Sequence, residues 1–405
     1  MEEYITVERA DSILEAAVAP YPEEDVPLSQ AHGRVLRTAV YADRPYPPFN
    51  RVTMDGIAFR LGSFETGRRR FPIETTVRAG EMPLPLRDPD ACIEVMTGAP
   101  LPKGCDCVVP VERLIKREAE AEVTEGTEAR HMQNIHPQGS DFRAGDLLLS
   151  GGLRLSAPAI AVAASVGCAT LRVSRLPRIA VIATGDELAD VEESPIAPHR
   201  IRRSNDYAIA AALRTRGYAH VDTHWARDDE AALRDLVDAL VDCSDAVVLT
   251  GGVSMGAFDY VPRVLHAVGV KALFHKVKQR PGKPILFGPG MRGQAVFALP
   301  GNPASALVCL YRYVLPSLDR ASGARPATDE WVILERDYDS RTDLTCFLPV
   351  RAAVDRSGRL MAEPRPGNTS GDFATLAATD GFVELAAEQQ KYPAGHTARL
   401  IRWSV

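Results

Sequence analysis

Between Arg178 and Leu318, short apolar runs alternate with longer stretches of helical period. βαβ units around a parallel sheet produce that alternation, and it narrows the fold more than any other feature of the chain. Arg178 to Ala183 (RIAVIA) is a buried-strand sequence ending in Thr184-Gly185-Asp186-Glu187-Leu188. A helix is predicted from Ser204, with Asn205 and Asp206 near its start to serve free N–H groups and Gly217 placed to end it. His220 to Trp225 follows as a strand. Ala231 to Val241 then places Leu233, Leu236, Val237 and Leu240 on one face at i, i+3, i+4 and i+7. Asp245 to Leu249 runs into the turn Thr250 to Gly256, a short helix spans Tyr260 to Val268, and the strand Ala295 to Leu299 ends at Pro300-Gly301-Asn302-Pro303 before a helix from Ala304 to Leu318. Three strands thus end in glycine turns. In an open parallel sheet such turns lie at the carboxyl edge, where ligands bind, so this edge is the first candidate site.

The remaining sequence surrounds that unit. At 405 residues the chain exceeds what one core supports, roughly 250–300 residues. Tyr41 to Asp146 lacks a long helical period and is rich in turn residues, which predicts a β-rich module. Met1 to Ala19 and Ser156 to Gly167 read as helical and flank it, so the chain is expected to leave one domain, build another and return. After Ala321 to Thr328, period-two alternation at Trp331 to Leu334 and Arg399 to Trp403, with a hairpin turn at Asp355-Arg356-Ser357-Gly358, predicts a small β-barrel or sandwich. The expected layout is a multi-domain α/β protein: a discontinuous linker domain of helices and strands (1–44 with 145–176), a β-rich insert (45–144), a doubly wound α/β domain (177–326) and a C-terminal β domain (327–405).

Composition excludes several classes. The net charge of −6 argues against a nucleic-acid binder that relies on bulk positive charge. The longest apolar stretch, Ala157 to Thr170, is interrupted by Pro158, Ser165 and Gly167 and is too short to span a bilayer, and Met1 to Ala10 lacks the pattern of a secretory signal, so no membrane association and a cytoplasmic location are expected. Seven scattered cysteines suggest buried thiols rather than a disulfide framework or zinc site. Nothing arranges the nine histidines as a metalloprotease or triad, GxxxxGK[ST] is absent, and no GxGxxG follows the first strand to mark a dinucleotide site.

Two constellations remain. In the run His275 to Pro284, Lys276, Lys278, Arg280 and Lys283 concentrate positive charge around Pro281-Gly282, where the glycine is expected to let the backbone approach a ligand closely and the flanking cations to bind an oxyanion such as phosphate. A solvated strand edge is the alternative. Asp186, Glu187, Asp228 and Asp259 sit near strand ends and could converge on Mg²⁺ bridged to substrate phosphates, with helix capping as the alternative for Asp228 and Asp259. The Thr250 to Gly256 turn could cradle phosphate, or simply close a tight connection. Thr53-Met54-Asp55-Gly56 and Met96-Thr97-Gly98-Ala99-Pro100 read equally well as plain turns.

Taken in order, Met54-Asp55-Gly56, Met96-Thr97-Gly98-Ala99, Thr184-Gly185-Asp186-Glu187-Leu188, Gly251-Gly252-Val253-Ser254, Asp259-Tyr260, Pro281-Gly282-Lys283-Pro284, Leu299-Pro300-Gly301-Asn302-Pro303 and Ser370-Gly371 resemble the MoeA family, to which the E domain of gephyrin also belongs. The resemblance spans most of the chain. It implies four domains, the α/β one sharing the fold of the MogA-like molybdopterin-binding proteins, and a homodimer. The activity it implies is that of a molybdopterin molybdenumtransferase: adenylyl-molybdopterin and molybdate give molybdenum cofactor and AMP, with Mg²⁺ as the divalent ion. Functional acids and hydroxyl would fall at Asp55, Thr97, Asp141, Glu187, Asp228 and Asp259, and the basic site positions at Lys276, Arg280 and Lys283. Mg²⁺ would be held by Glu187 and Asp259. Gly251, Gly252, Ser254, Lys283, Pro300 and Ser370 would bind the pterin substrate or molybdate, while the family's C-terminal arginine falls at Arg341 or Arg351. A molybdopterin adenylyltransferase and molybdoenzyme chaperones would be protein partners. Two positions depart from the family: Arg280 stands where most members carry lysine, and Ile57 where tyrosine is usual. These leave molybdate or tungstate open as the oxyanion. An adenylyltransferase acting one step earlier and a non-catalytic scaffold are the competing readings.

Overall fold

The structure, a computed structural model, describes every residue except 254–258, 341, 368–371, 373 and 405. Ser254, Ser370 and Arg341 therefore lie outside the described residues. The chain folds as two compact units: Met1–Thr38 with Gly151–Ser156 and Thr170–Val405, and Ala39–Ser150 with Ala157–Ala169.

The first unit is built on a seven-stranded sheet. Its parallel part runs His220–Ala226, Arg178–Thr184, Ala246–Thr250 and Ala295–Leu299, in that spatial order. Period two decides the layers. Ile179 and Val181 face one core with Ile209 and Leu213 of the helix Asn205–Thr215, whereas Ala180 and Ile182 face the other with Leu233 and Val237 of the helix Glu230–Cys243. Both faces of Arg178–Thr184, Ala246–Thr250 and Ala295–Leu299 are covered, so these strands read as continuous apolar runs, whereas the edge strand His220–Ala226 keeps polar residues and remains partly exposed.

The sheet extends beyond the expected strands. Leu286–Pro289 adds antiparallel to Ala295–Leu299, Phe274–Val277 adds to that, and Glu2–Ile5 completes the edge parallel to Phe274–Val277. The N-terminus is thus a strand before it is a helix, Val7–Ala17, rather than helical from Met1. The predicted last helix is three pieces, Pro303–Cys309, a π-helical turn at Leu310–Val314, and Leu315–Ala321.

At the C-terminal end, Thr345–Val354 pairs with Leu360–Pro364 on one side and Gly381–Leu385 on the other, and Glu330–Leu334 and Thr397–Arg402 close the circuit into a small barrel. Of barrel and sandwich, the closed barrel is the one formed. Buried ion pairs tie the pieces of this unit. Arg312, 8% exposed, donates to both Asp11 carboxylate oxygens at 2.8 Å and to Glu384 at 3.1 Å, joining the first helix to a barrel strand. Asp319 accepts from Arg154 at 2.8 Å, Arg216 at 2.7 Å and the Tyr218 hydroxyl at 2.8 Å.

The second unit centres on a six-stranded sheet in the order Cys107–Pro110, Gly56–Phe59, Cys92–Val95, Arg70–Val77, Glu120–Val123, Leu114–Lys116. Apolar clusters cover both faces, Val52, Ala58, Ile93 and Val108 on one and Ile57, Phe59, Phe71 and Val109 on the other. Ile57, placed where the family usually has tyrosine, is buried at 2% exposure, so its hydrophobic side chain serves the core. Arg51–Val52 forms a short ladder with Ile135–His136, and the helix Ala157–Ser165 belongs to this unit. Among the described residues, no helix is long and apolar enough to cross a membrane.

Candidate functional site

The carboxyl ends of Arg178–Thr184, Ala246–Thr250 and Ala295–Leu299 open into a cavity of about 930 Å³. Glu187, Gly252, Asp259 and Pro300, all singled out by sequence, line it together with Thr184, Asn205 and Thr250. The turns at its floor are stapled together. Thr250 Oγ1 donates to the Pro300 carbonyl at 3.0 Å, and Asn205 Nδ2 donates to Thr250 Oγ1 at 2.9 Å and the Gly301 carbonyl at 2.8 Å. Asn205, expected to serve its own helix, instead clips two strand-end turns. Gly251 lies at φ +100, and a Cβ there would come within 2.5 Å of the Thr184 carbonyl oxygen, so the glycine serves the packing of the turn.

The acids divide. Asp186 and Asp228 exchange backbone N–H contacts, Asp186 N to Asp228 Oδ2 at 3.3 Å and Asp228 N to Asp186 Oδ1 at 3.4 Å. Burial pushes the Asp228 carboxyl up, the Asp186 N–H pulls it back, and the charges of Asp186 and Asp259 add to the rise. The helix Glu230–Cys243 is capped by Asp229, which accepts from Ala232 N at 2.8 Å, so the capping alternative does not account for Asp228.

The basic segment is strand and turn. Lys276 takes the left-handed conformation at φ +70 within the strand Phe274–Val277, a backbone strain that lies in one of the segments singled out for chemistry. Gln279–Arg280 pairs parallel with Thr345–Val354, which carries the turn onto the barrel. Arg280 is exposed. Gly282 has a packing reason of its own. At φ +91, a Cβ there would lie 2.5 Å from Cys309 Sγ and 2.7 Å from Gln279 Nε2, both interior atoms, so side-chain packing demands the glycine. Buried Gln279 holds the turn by donating to the Pro281 carbonyl at 3.1 Å and accepting from the Tyr313 hydroxyl. Lys276, Arg280 and Lys283 do not line the 930 Å³ cavity among the described residues; Pro284 does.

Two features escaped the sequence reading, and a third, His275, entered it only as the first residue of the basic run. Tyr4, on the edge strand, lies beneath the Lys283 ammonium at 4.6 Å and the Lys278 ammonium at 5.4 Å. Buried His275 places Nε2 2.9 Å from the Val253 carbonyl, anchoring the basic strand to the glycine turn. Arg200, Arg202 and Arg203 also line the cavity. Only the last left a signal, the basic run Arg200 to Arg203, with Ile201 inside it. The other two depend on a strand pairing with no local signature.

In the second unit, Asp55 Oδ1 accepts from the Thr97 backbone N–H at 2.7 Å and the Thr97 hydroxyl at 2.6 Å. These bonds, the hydroxyl's first, hold the Asp55 carboxyl below its ordinary range. Asp141 is joined to His136, Nε2 to Oδ1 at 2.8 Å. The two motifs are stitched to the same short segment, Val52 N to the Ala99 carbonyl at 2.9 Å and Thr53 N to the Asn134 carbonyl at 3.0 Å.

Comparison with known proteins agrees with this architecture. The MoeA N-terminal region (domain I and II) matches residues 5–167, a probable molybdopterin binding domain matches residues 180–320, and the MoeA C-terminal region (domain IV) matches residues 332–403. A molybdopterin molybdenumtransferase of Synechocystis sp. is 37% identical over 401 residues, covering 98% of this chain and 100% of that protein. One from Staphylococcus epidermidis is 31% identical over 385 residues, 93% of this chain and 90% of its own. A molybdopterin biosynthesis MoeA protein from Pyrococcus horikosii superposes with a TM-score of 0.82 at 27% identity, covering 99% and 100% of the two chains. With three successive family regions and full-length relatives in agreement, the chain belongs to the MoeA family.

Proposed function

We propose that this chain is a molybdopterin molybdenumtransferase that inserts molybdate into adenylyl-molybdopterin and releases AMP, with Mg²⁺, as the last step of molybdenum cofactor synthesis. The observation that carries the reading is the strand-end cavity, in which acids, glycine-turn backbone and the Pro300-Gly301-Asn302-Pro303 turn share about 930 Å³, a volume suited to a phosphorylated small molecule. Glu187 and Asp259 suit Mg²⁺, since both line the cavity and that ion takes one or two carboxylates and completes its shell with phosphate and water. When bound there, it would offset charge on the substrate's phosphoanhydride.

The chain's own groups supply the rest. Gly252 offers backbone N–H at the cavity wall, and Arg200, Arg202 and Arg203 add cationic side chains beside it. Lys276, Arg280 and Lys283 are the oxyanion-binding charges of the reading, and Ser370 matches the family's C-terminal serine. Arg280 presents a planar fork where lysine presents a point, which is why molybdate and tungstate deserve direct competition. Asp55, Thr97 and Asp141 are read as the polar group of the second unit that serves the same reaction. The reading also implies a cytoplasmic homodimer working beside a molybdopterin adenylyltransferase and molybdoenzyme chaperones. Light scattering should give twice the 44.0 kDa chain mass.

Purified protein supplied with adenylyl-molybdopterin, molybdate and Mg²⁺ should release AMP in proportion to molybdate, and Glu187→Ala or Arg280→Ala should abolish that release. New adenylyl-molybdopterin formed from molybdopterin, ATP and Mg²⁺ would instead identify an adenylyltransferase, and unchanged turnover in both variants would overturn the site assignment.

A further inference from the structure

The second unit carries a hydrogen-bonded chain that ends on Asp141. Arg51 and His136 are direct partners in the ladder between Arg51–Val52 and Ile135–His136. The Arg51 guanidinium approaches His136 Nδ1 at 3.2 Å, and His136 Nε2 approaches Asp141 Oδ1 at 2.8 Å. Arginine only donates and keeps its proton, so Nδ1 must be the accepting nitrogen. Nε2 is then the nitrogen that bears hydrogen, and it donates to the carboxylate. Donor and acceptor roles are settled along the whole chain, Arg51 to His136 to Asp141.

The scaffold beneath it is firmly held. Thr53 N donates to the Asn134 carbonyl at 3.0 Å, Gln138 N to Asn50 Oδ1 at 2.8 Å, and Asp141 N to the Tyr46 carbonyl at 3.0 Å. Tyr46 and Phe142 stack at 5.3 Å, and the Arg51 guanidinium lies 5.9 Å from the Tyr46 ring centroid. Oδ1 is engaged, the Asp141 side chain is 41% exposed, and no hydrogen bond to Oδ2 is found among the described residues.

We propose that His136 is a positioning residue for Asp141: Arg51 locks the imidazole in its Nε2–H tautomer, and that N–H holds one carboxylate oxygen so that the other is presented to a hydrogen-bond donor of the substrate. The proposal rests on Asp141 serving the reaction. An oxygen held this way can only accept, so it selects an N–H or O–H group of the bound molecule. Orienting contacts of this kind commonly contribute 10- to 100-fold to the activity of the group they hold.

The test uses the full chain. In nitrogen-15 spectra of the unliganded protein, His136 should show hydrogen on Nε2 and a bare Nδ1, and Arg51→Met should allow the second tautomer to appear. In molybdate-dependent AMP release, His136→Phe should lower kcat by roughly 10- to 100-fold. His136→Gln, whose side-chain amide can still donate to Asp141, should recover most of that loss. Asp141→Asn is the reference. If it lowers turnover while His136→Phe does not, His136 has no positioning role. If Asp141→Asn leaves turnover intact, the role of Asp141 falls and this proposal falls with it. Hydrogen on Nδ1 in the unliganded protein would overturn the tautomer lock whatever the kinetics.

Discussion

Replacing Gly282 by alanine separates two roles for the turn between Arg280 and Lys283. An L-residue at φ +91 leaves its preferred backbone region, at a cost of about 1–2 kcal/mol. The added Cβ would meet Cys309 Sγ at 2.5 Å and Gln279 Nε2 at 2.7 Å, and those residues are 0% and 1% exposed, so neither has open space to retire into. Overpacking of that kind costs about 1–3 kcal/mol, giving about 2–5 kcal/mol in all. At roughly 2–4 °C per kcal/mol for a unit of this size, the melting transition should fall by roughly 4–20 °C. In a Cys309→Ala background the sulfur contact is gone, so the double variant should be more stable than additivity predicts by about 1–2 kcal/mol. Thermal melts of the four proteins close the cycle, with AMP release measured below the lowest transition. A Gly282→Ala melt within about a degree of the parent, with no coupling to Cys309, would refute the packing argument. Lost turnover with unchanged stability would restore close ligand approach as the reason for the glycine.

Asp228→Asn should raise stability at pH 7 while lowering turnover. The native carboxyl titrates above its unfolded value, so its ionised form is disfavoured by folding; stability from this group is present below the unfolded carboxylate range and is lost as pH rises through the folded value. The gain in melting temperature should accordingly vanish when both proteins are compared at pH 3, and an equal gain at both pH values would dismiss the electrostatic account. Arg312→Met leaves Asp11 and Glu384 without their shared partner and should cost about 3 kcal/mol in chemical denaturation; a loss below about 1 kcal/mol would show that these contacts are not coupled to folding. In native thiol titration near pH 8, exposed Cys243 should react first. Cys92 and Cys105, both pushed up to about 12 by burial, should wait for denaturant. Rapid loss of Cys92 or Cys105 in the native protein would contradict their burial.

The part of this molecule that could be read from sequence is the part whose rules are local. RIAVIA and DAVVL are apolar runs bounded by polar turns, and such a run buried on both faces has few other structures open to it. Their ends, rich in glycine, announced the carboxyl edge, and Glu187, Asp259 and Pro300 followed because each lies in or just beyond the turn that leaves one of those ends. Short motifs in order supplied the family, and with it the pterin and molybdate.

Other features required the folded chain. Glu2–Ile5 is too short to announce a strand, yet its pairing with Phe274–Val277 brings Tyr4 to Lys283 across most of the sequence. Gly282 looked like a place for a ligand because φ at a glycine can be inferred locally, whereas the sulfur of Cys309 above it cannot. Asn205 looked like a helix cap until the turns it clips were seen beside it. His136 carried no recognisable motif, and only the ladder with Arg51 settles which of its nitrogens donates. Sequence determined the sheet, the edge at which its cavity opens and the family, since backbone propensity and hydrophobic period act between near neighbours. Tertiary structure alone decided how the charges are partnered, because hydrogen bonds and packing act across contacts that chain order does not encode.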